Sequence, residues 1–175
     1  MPLEPDDIDL PALVSLTGAA VDAHVLARLR ESGHPGARRS HGYVIQALLA
    51  GEPAVGELAG ELGVTQQAIS KSVAELEALG YAERVPDARD ARVRRIRLTP
   101  RGRELVDRTR AIRRELERAA LAATGPDRAR ATGRAQAPRP ASDDAGAARR
   151  ILEALLAASG GLEAVRARRA PVPDA

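Results

Sequence analysis

The sequence holds no cysteine, no phenylalanine and no tryptophan, and only one methionine, two tyrosines and three histidines. The missing thiols exclude disulfide scaffolds, thiolate zinc sites, thiol nucleophiles and cysteine-based redox sensing together. Three histidines (His24, His34 and His41) leave little room for a histidine-rich metal site, and no metal or cofactor is expected. The scarcity of aromatics argues against an all-β fold, because sandwiches and barrels lean on aromatic and β-branched residues. No run approaches the roughly 20 apolar residues of a membrane helix, so no membrane segment is expected. The opening Met1-Pro2-Leu3-Glu4-Pro5-Asp6-Asp7 is acidic and polar, unlike a secretory signal, and a soluble cytoplasmic protein is expected. A core built from Leu, Ile and Val on helices remains, in a chain of 175 residues that suits a single domain spanning 1–175.

Charge is abundant and unevenly placed. The net formal charge is +3, but residues 1–83 carry −7, residues 84–118 carry +7 and residues 119–175 carry +3. A basic block after an acidic half is an electrostatic footprint for a polyanion, although a solvated helix face has the same composition. Nearly all the basic residues are Arg, with Lys71 the single lysine. Arg and Ala enrichment together also follows from a GC-rich coding sequence, so the position of the arginines says more than their number.

Apolar spacing predicts a first helix from Leu10 to Leu29, with Leu10, Leu13, Val14, Val21, Val25, Leu26 and Leu29 on one face. Gly33, Pro35 and Gly36 end it. Ser40 is placed to cap a second helix through Val44, Ile45, Leu48 and Leu49. A short helix carrying Val55, Leu58, Ala59 and Leu62 follows, broken by Gly63. Thr65 caps the next, which buries Ile69, Val73, Leu76 and Leu79. Ala82–Val85 and Arg92–Leu98 read as two strands around the turn Pro86–Ala91, since Ile96 and Leu98 alternate with Arg95 and Arg97. Thr99-Pro100 starts a long helix carrying Leu105, Val106, Ile112, Leu116 and Leu121. The stretch Thr124–Gly146, rich in Ala, Arg, Pro and Gly, reads as a flexible linker or weak helix. A last amphipathic helix holds Ile151, Leu152, Leu155 and Leu156.

Two helices joined by a tight turn at Gly63 make a helix-turn-helix candidate, although an ordinary helical hairpin shares the pattern. The outer face of the second helix carries Thr65, Gln66, Gln67, Ser70 and Lys71. Such side chains read base edges: Gln bonds adenine bidentately, Ser and Thr bond several edges, and Lys reaches guanine or phosphate. A basic hairpin follows at once, with Arg89 and Arg92 near its tip and Arg94 beyond. A guanidinium there can enter a narrow, electronegative minor groove. Asp87 and Asp90 are expected to hold the arginine side chains by paired hydrogen bonds.

These segments resemble the MarR family of winged helix-turn-helix transcriptional regulators. The resemblance rests on Glu57-Leu58-Ala59 with Leu62-Gly63-Val64, on Gln66-Gln67-Ala68-Ile69-Ser70-Lys71, and on Leu76-Glu77-Ala78-Leu79-Gly80-Tyr81. It is most specific in the wing, Asp87-Ala88-Arg89-Asp90-Ala91-Arg92, followed by Leu98-Thr99-Pro100-Arg101-Gly102. It implies a mainly α fold: a winged helix-turn-helix core with a small two-stranded β wing, flanked by N- and C-terminal dimerisation helices. The DNA-binding lobe would span 40–102, and the dimerisation region 10–32 and 103–169. The resemblance implies a homodimer on a pseudo-palindromic double-stranded operator, with the helix after Thr65 in the major groove, Arg92 probing the minor groove and Asp90 bracing the wing. It further implies a repressor answering to a small aromatic or phenolic effector, bound between the dimer helices and the winged lobe, where His41 and Tyr43 could line a pocket.

Two other functions compete. Asp22 with His24, or Ser40 with His41, could form acid–base or nucleophile pairs, but no third orienting group or phosphate loop accompanies them, and no catalytic residue is expected. A winged helix serving protein–protein contact is the alternative to DNA binding, and the charged wing argues against it.

Overall fold

The structure is a computed structural model that describes residues 8–123 and 141–159. In chain order the elements are α1 (Leu10–Glu31), α2 (His41–Ala50), α3 (Val55–Leu62), α4 (Gln66–Ala78), β1 (Ala82–Pro86), β2 (Arg94–Leu98), α5 (Pro100–Ala123) and α6 (Ala141–Ala158). The expected mainly α architecture with a small β wing is what the chain adopts.

The local signals act as the residue types dictate. Asp9 caps α1 by accepting from the Ala12 N–H at 2.8 Å, and Thr65 caps α4 by accepting from the Ala68 N–H at 3.2 Å. Gly63 ends α3 with φ at 68°, the left-handed conformation that glycine adopts without a Cβ penalty. Ser40 departs from expectation. It sits before α2 in a helical conformation and makes no side-chain cap hydrogen bond, because a capping side chain needs extended backbone to swing back onto the helix N–H groups.

The core joins α2, α3, α4 and the hairpin. Leu58, Val73, Leu76 and Ile96 are fully or almost fully enclosed, with Leu62, Ile69 and Leu98 around them. β1 and β2 pair antiparallel, with Ala82 opposite Leu98 and Arg84 opposite Ile96. Ala54 adds a single antiparallel bridge to Arg95, and the Ile96 N–H donates to the Pro53 carbonyl at 3.0 Å, so the segment before α3 lines the far edge of β2. The Leu-Thr-Pro-Arg-Gly segment is a junction. The Thr99 hydroxyl donates to the Gly80 carbonyl at 2.6 Å and accepts from the Gly102 N–H at 3.0 Å, which starts α5. A Cβ on Gly102 would lie 2.1 Å from the Tyr81 carbonyl oxygen, so only glycine lets α5 approach β1 this closely.

α1 packs on α5 and buries only Val25 and Leu29. Leu10, Leu13 and Leu16 are exposed on it, as are Ile151 and Leu152 on α6. The expectation that no segment matches a membrane span needs correcting, since α1 is long and apolar enough to cross one by length and composition. Its small and aliphatic residues surround the helix instead of forming one narrow stripe. Asp22 of the same helix pairs with Arg39 at 2.9 Å.

Two further boundaries differ from expectation. β2 starts at Arg94, not Arg92, because side chains of the preceding loop take up the backbone N–H groups that a ladder would use. Of the stretch Thr124–Gly146, read as a linker or weak helix, the last part, Ala141–Gly146, is helical and belongs to α6. That stretch, Ala-Ser-Asp-Asp-Ala-Gly, carries short polar and acidic residues that suit the first turn of a helix, and its lack of large apolar residues does not bar one. Residues 124–140 of the expected linker lie outside the described residues.

Candidate nucleic-acid interface

α4 presents the predicted face. Ile69, Val73 and Leu76 turn inward, while Thr65, Gln66, Gln67 and Lys71 are exposed and Ser70 is half-buried. Gln67, Ser70 and Lys71 follow the i, i+3, i+4 spacing of one helix face. Gln66 differs from them: its amide lies over α3, where a Cβ on Gly56 would be 3.5 Å from Nε2.

The wing loop, residues 87–93, is organised by two carboxylates. Asp87 Oδ1 accepts from the backbone N–H groups of Arg89 at 2.7 Å and Asp90 at 3.2 Å. Asp90 Oδ1 accepts from the backbone N–H of Arg92 at 2.9 Å. The second oxygen of Asp87 takes the Arg95 Nε–H in a very short contact. The backbone N–H of Arg89, followed by the Arg95 guanidinium, holds the Asp87 carboxyl below its ordinary range. The expected pairing of Asp87 and Asp90 with the tip arginine side chains is therefore corrected. The carboxylates hold the backbone of the loop and the guanidinium of Arg95. Arg89, Arg92 and Arg94 are exposed, and among the described residues their side chains make no ion pair.

Arg95 is the residue that sequence reasoning missed. Its Nη1 donates to Glu57 Oε2 at 2.7 Å, and the same Glu57 oxygen accepts from the Ala54 N–H at 2.9 Å at the start of α3. One guanidinium thus ties the wing loop to the first helix of the helix-turn-helix. On the other strand, Arg84 pairs with Glu77 of α4 at 2.9 Å. The wing is fastened to both helices, and the free arginines project from a fixed base. Only the period-2 pattern of β2 marked Arg95 in the sequence; its partner lies 38 residues away.

His41 is buried and its Nε2 lies 3.3 Å from Glu75 Oε2, which also accepts from Arg38 at 3.1 Å. These contacts fasten α2 to α4 and hold the Glu75 carboxyl below its ordinary range, the His41 hydrogen bond contributing most. His41 also lines a cavity of about 130 Å³ between α1, α2 and α5, walled by Val25, Leu29, Ile45 and Val106. Tyr43 is half-buried against the core and does not line that cavity. The two enzyme-like pairs are not brought together. Asp22 pairs with Arg39 while His24 is exposed, and Ser40 is exposed while His41 turns inward to Glu75. Among the described residues no group of His, Asp and Glu could hold a metal ion.

Residues 36–93 match the family model described as the MarR family. No curated protein matches the chain. Solved structures with the same fold include a mutant of Staphylococcus aureus MepR bound to an oligodeoxyribonucleotide, with a TM-score of 0.59 and 18% identity over 85% of this chain and 99% of that one. The transcriptional regulator Tm0710 from Thermotoga maritima gives 0.55 and 20%, covering 84% of this chain and 93% of that one. Wild-type MarR from E. coli gives 0.51 and 18%, covering 85% and 98%. Residues 36–93 thus carry the match to the MarR family model, and the fold around them is the winged helix-turn-helix of these solved structures.

Proposed function

We propose that the protein is a sequence-specific double-stranded DNA-binding transcriptional regulator, acting as a repressor. The observation that carries this reading is the exposed Gln67–Ser70–Lys71 face beside a wing whose Arg89 and Arg92 side chains are left unpaired on a braced loop. In the major groove, Thr65, Gln67 and Ser70 supply base-edge hydrogen bonds, Gln66 joins them by swinging its amide off α3, and Lys71 reaches guanine or phosphate. Arg92 enters the minor groove, while Arg89 and Arg94 neutralise phosphates along its rim. Asp90 acts indirectly, by fixing the backbone from which Arg92 projects. The structures of MepR with DNA, which share this fold, support the same mode of use.

The working unit in this proposal is a homodimer in the cytoplasm. Leu10, Leu13 and Leu16 of α1 and Ile151 and Leu152 of α6 are apolar and exposed, and covering them with a second copy removes that surface from water. A two-fold dimer reads a pseudo-palindrome with half-sites ~34 Å apart. A small aromatic or phenolic effector would enter beside His41, where the cavity of about 130 Å³ would have to widen toward the roughly 300–1,000 Å³ of small-molecule sites, with Tyr43 outside its wall. Selecting bound sequences from a random DNA pool tests the reading. A pseudo-palindromic consensus supports it, while recovery of no enriched sequence would leave a winged helix for protein contact.

A further inference from the structure

The chain carries 27 basic side chains, and Lys71 is the single amine among them. It stands on the exposed face of α4, one turn after Gln67. Arginine would serve that face at least as well. Its planar fork meets guanine or a phosphate with two hydrogen bonds, where an ammonium acts as a point charge. A guanidinium, however, stays protonated in a protein. What lysine adds is a side chain that can lose a proton and become a nucleophile.

Lys71 is also left unengaged. Its neighbour one turn on, at the i, i+4 position that could pair with it, is Glu75. That carboxylate is committed to α2 and the segment before it: one oxygen accepts from Arg38 at 3.1 Å and lies 3.3 Å from Nε2 of the buried His41. Among the described residues Lys71 makes no ion pair or hydrogen bond. Its charge is close all the same. Glu75 is held low first by the His41 hydrogen bond, and the positive charges of Arg38 and Lys71 add to that. An exposed guanidinium and an exposed amine therefore stand near one carboxylate, and the three together keep a net positive charge. Such a patch suits a small donor with an anionic end, which the guanidinium can hold by charge-assisted hydrogen bonds while the amine meets its reactive carbon.

We propose that Lys71 is an acylation site, at which an acyl phosphate transfers its acyl group and so weakens DNA binding. The ammonium first gives one proton to water. The free amine attacks the acyl carbonyl carbon, a C–N bond forms, and the bond from that carbon to the phosphate oxygen breaks. The phosphate leaves with the electron pair and takes the second amine proton. The product is a neutral amide, so each subunit loses one positive charge from its DNA-facing helix. The effect on DNA rests on the reading of α4 as the DNA-binding helix; the acylation itself does not.

Incubating the full chain with acetyl phosphate in the absence of DNA, followed by peptide mass mapping, tests the site. Lys71 should carry the acetyl group. Anisotropy on the selected operator should then show affinity lowered by about tenfold at low salt, as the dimer loses two ammonium–phosphate contacts. Lys71→Arg keeps a positive charge without an acylable amine, so its affinity before and after acetyl phosphate should be equal. Unmodified Lys71, acetylated Lys71 with unchanged affinity, or the same loss of affinity in Lys71→Arg overturns the proposal. If the untreated chain enriches no DNA sequence, the DNA-binding reading fails and takes the effect on DNA with it, while the peptide map still decides the acylation.

Discussion

Arg95 joins Asp87 to Glu57: its Nε–H meets one Asp87 oxygen while its Nη1 donates to Glu57 at 2.7 Å. The wing loop and the start of α3 therefore share one guanidinium. Asp87→Asn should lower DNA affinity by about tenfold by loosening that loop, since preorganisation is what a fixed wing contributes. The sign is diagnostic, because removing a negative charge would by itself strengthen binding to a polyanion. Fluorescence anisotropy on operator DNA checks it, and tighter binding would show that Asp87 merely repels phosphate.

Asp90→Ala is expected to act in the same direction by another route. It removes the acceptor for the Arg92 backbone N–H, so Arg92 projects from a less defined turn. Binding should weaken less than in Arg92→Ala, which removes the guanidinium itself. Stronger binding in Asp90→Ala would sink the bracing argument.

Gly102→Ala should destabilise the fold by about 3 kcal/mol, because the new methyl group meets the backbone carbonyl of Tyr81 at 2.1 Å and neither backbone can yield cheaply. Chemical denaturation of the purified variant measures this. Wild-type stability would show that α5 shifts without cost.

Much of this fold is legible in the sequence. Gly63, Thr65 and Thr99-Pro100 are local devices, and each acts within a few residues of itself, so their effects can be read directly. The alternation of Ile96 and Leu98 with Arg95 and Arg97 likewise encodes which face of β2 is buried. Ser40 resembles a cap by residue type and is none, because the turn from α1 sets its backbone conformation. The wing carboxylates are braces, as their spacing suggests, but they hold backbone where the sequence points to arginine side chains. Asp side chains reach backbone N–H groups two residues ahead before they reach distant guanidinium groups. The Arg95–Glu57 and His41–Glu75 contacts depend on tertiary placement over 38 and 34 residues, which no local pattern carries. The early start of α6 is hidden by a composition short of large apolar residues.

Stability should fall in two separate pH ranges. His34 has a folded-state pKa held below 6.5 by burial, so the unfolded chain binds more protons as pH drops past that value. Its contribution is therefore present above about 6.5 and lost on acidification. Glu75 and Asp87 are also held low, the first by His41 and the second by backbone N–H groups and Arg95. Their contributions are present above the ordinary carboxylate range and are lost below it, as pH falls through their folded-state values. Urea denaturation at a series of pH values should show a first decline starting near 6.5 and a second in the carboxylate range. A flat profile between neutrality and the carboxylate range would contradict a buried neutral His34.

The most direct test of DNA recognition is anisotropy at several salt concentrations, comparing Gln67→Ala and Arg92→Ala on the selected operator and on random DNA. Gln67→Ala should cost roughly 1–3 kcal/mol on the operator and little on random DNA, because it removes a base-edge hydrogen bond. Arg92→Ala should weaken binding to both DNAs. It should also flatten the dependence of log affinity on log salt, by about one unit for each phosphate charge that the guanidinium neutralises in each subunit. Equal affinity for operator and random DNA in the wild type, or no change in affinity or salt slope with either variant, would contradict DNA recognition by α4 and the wing.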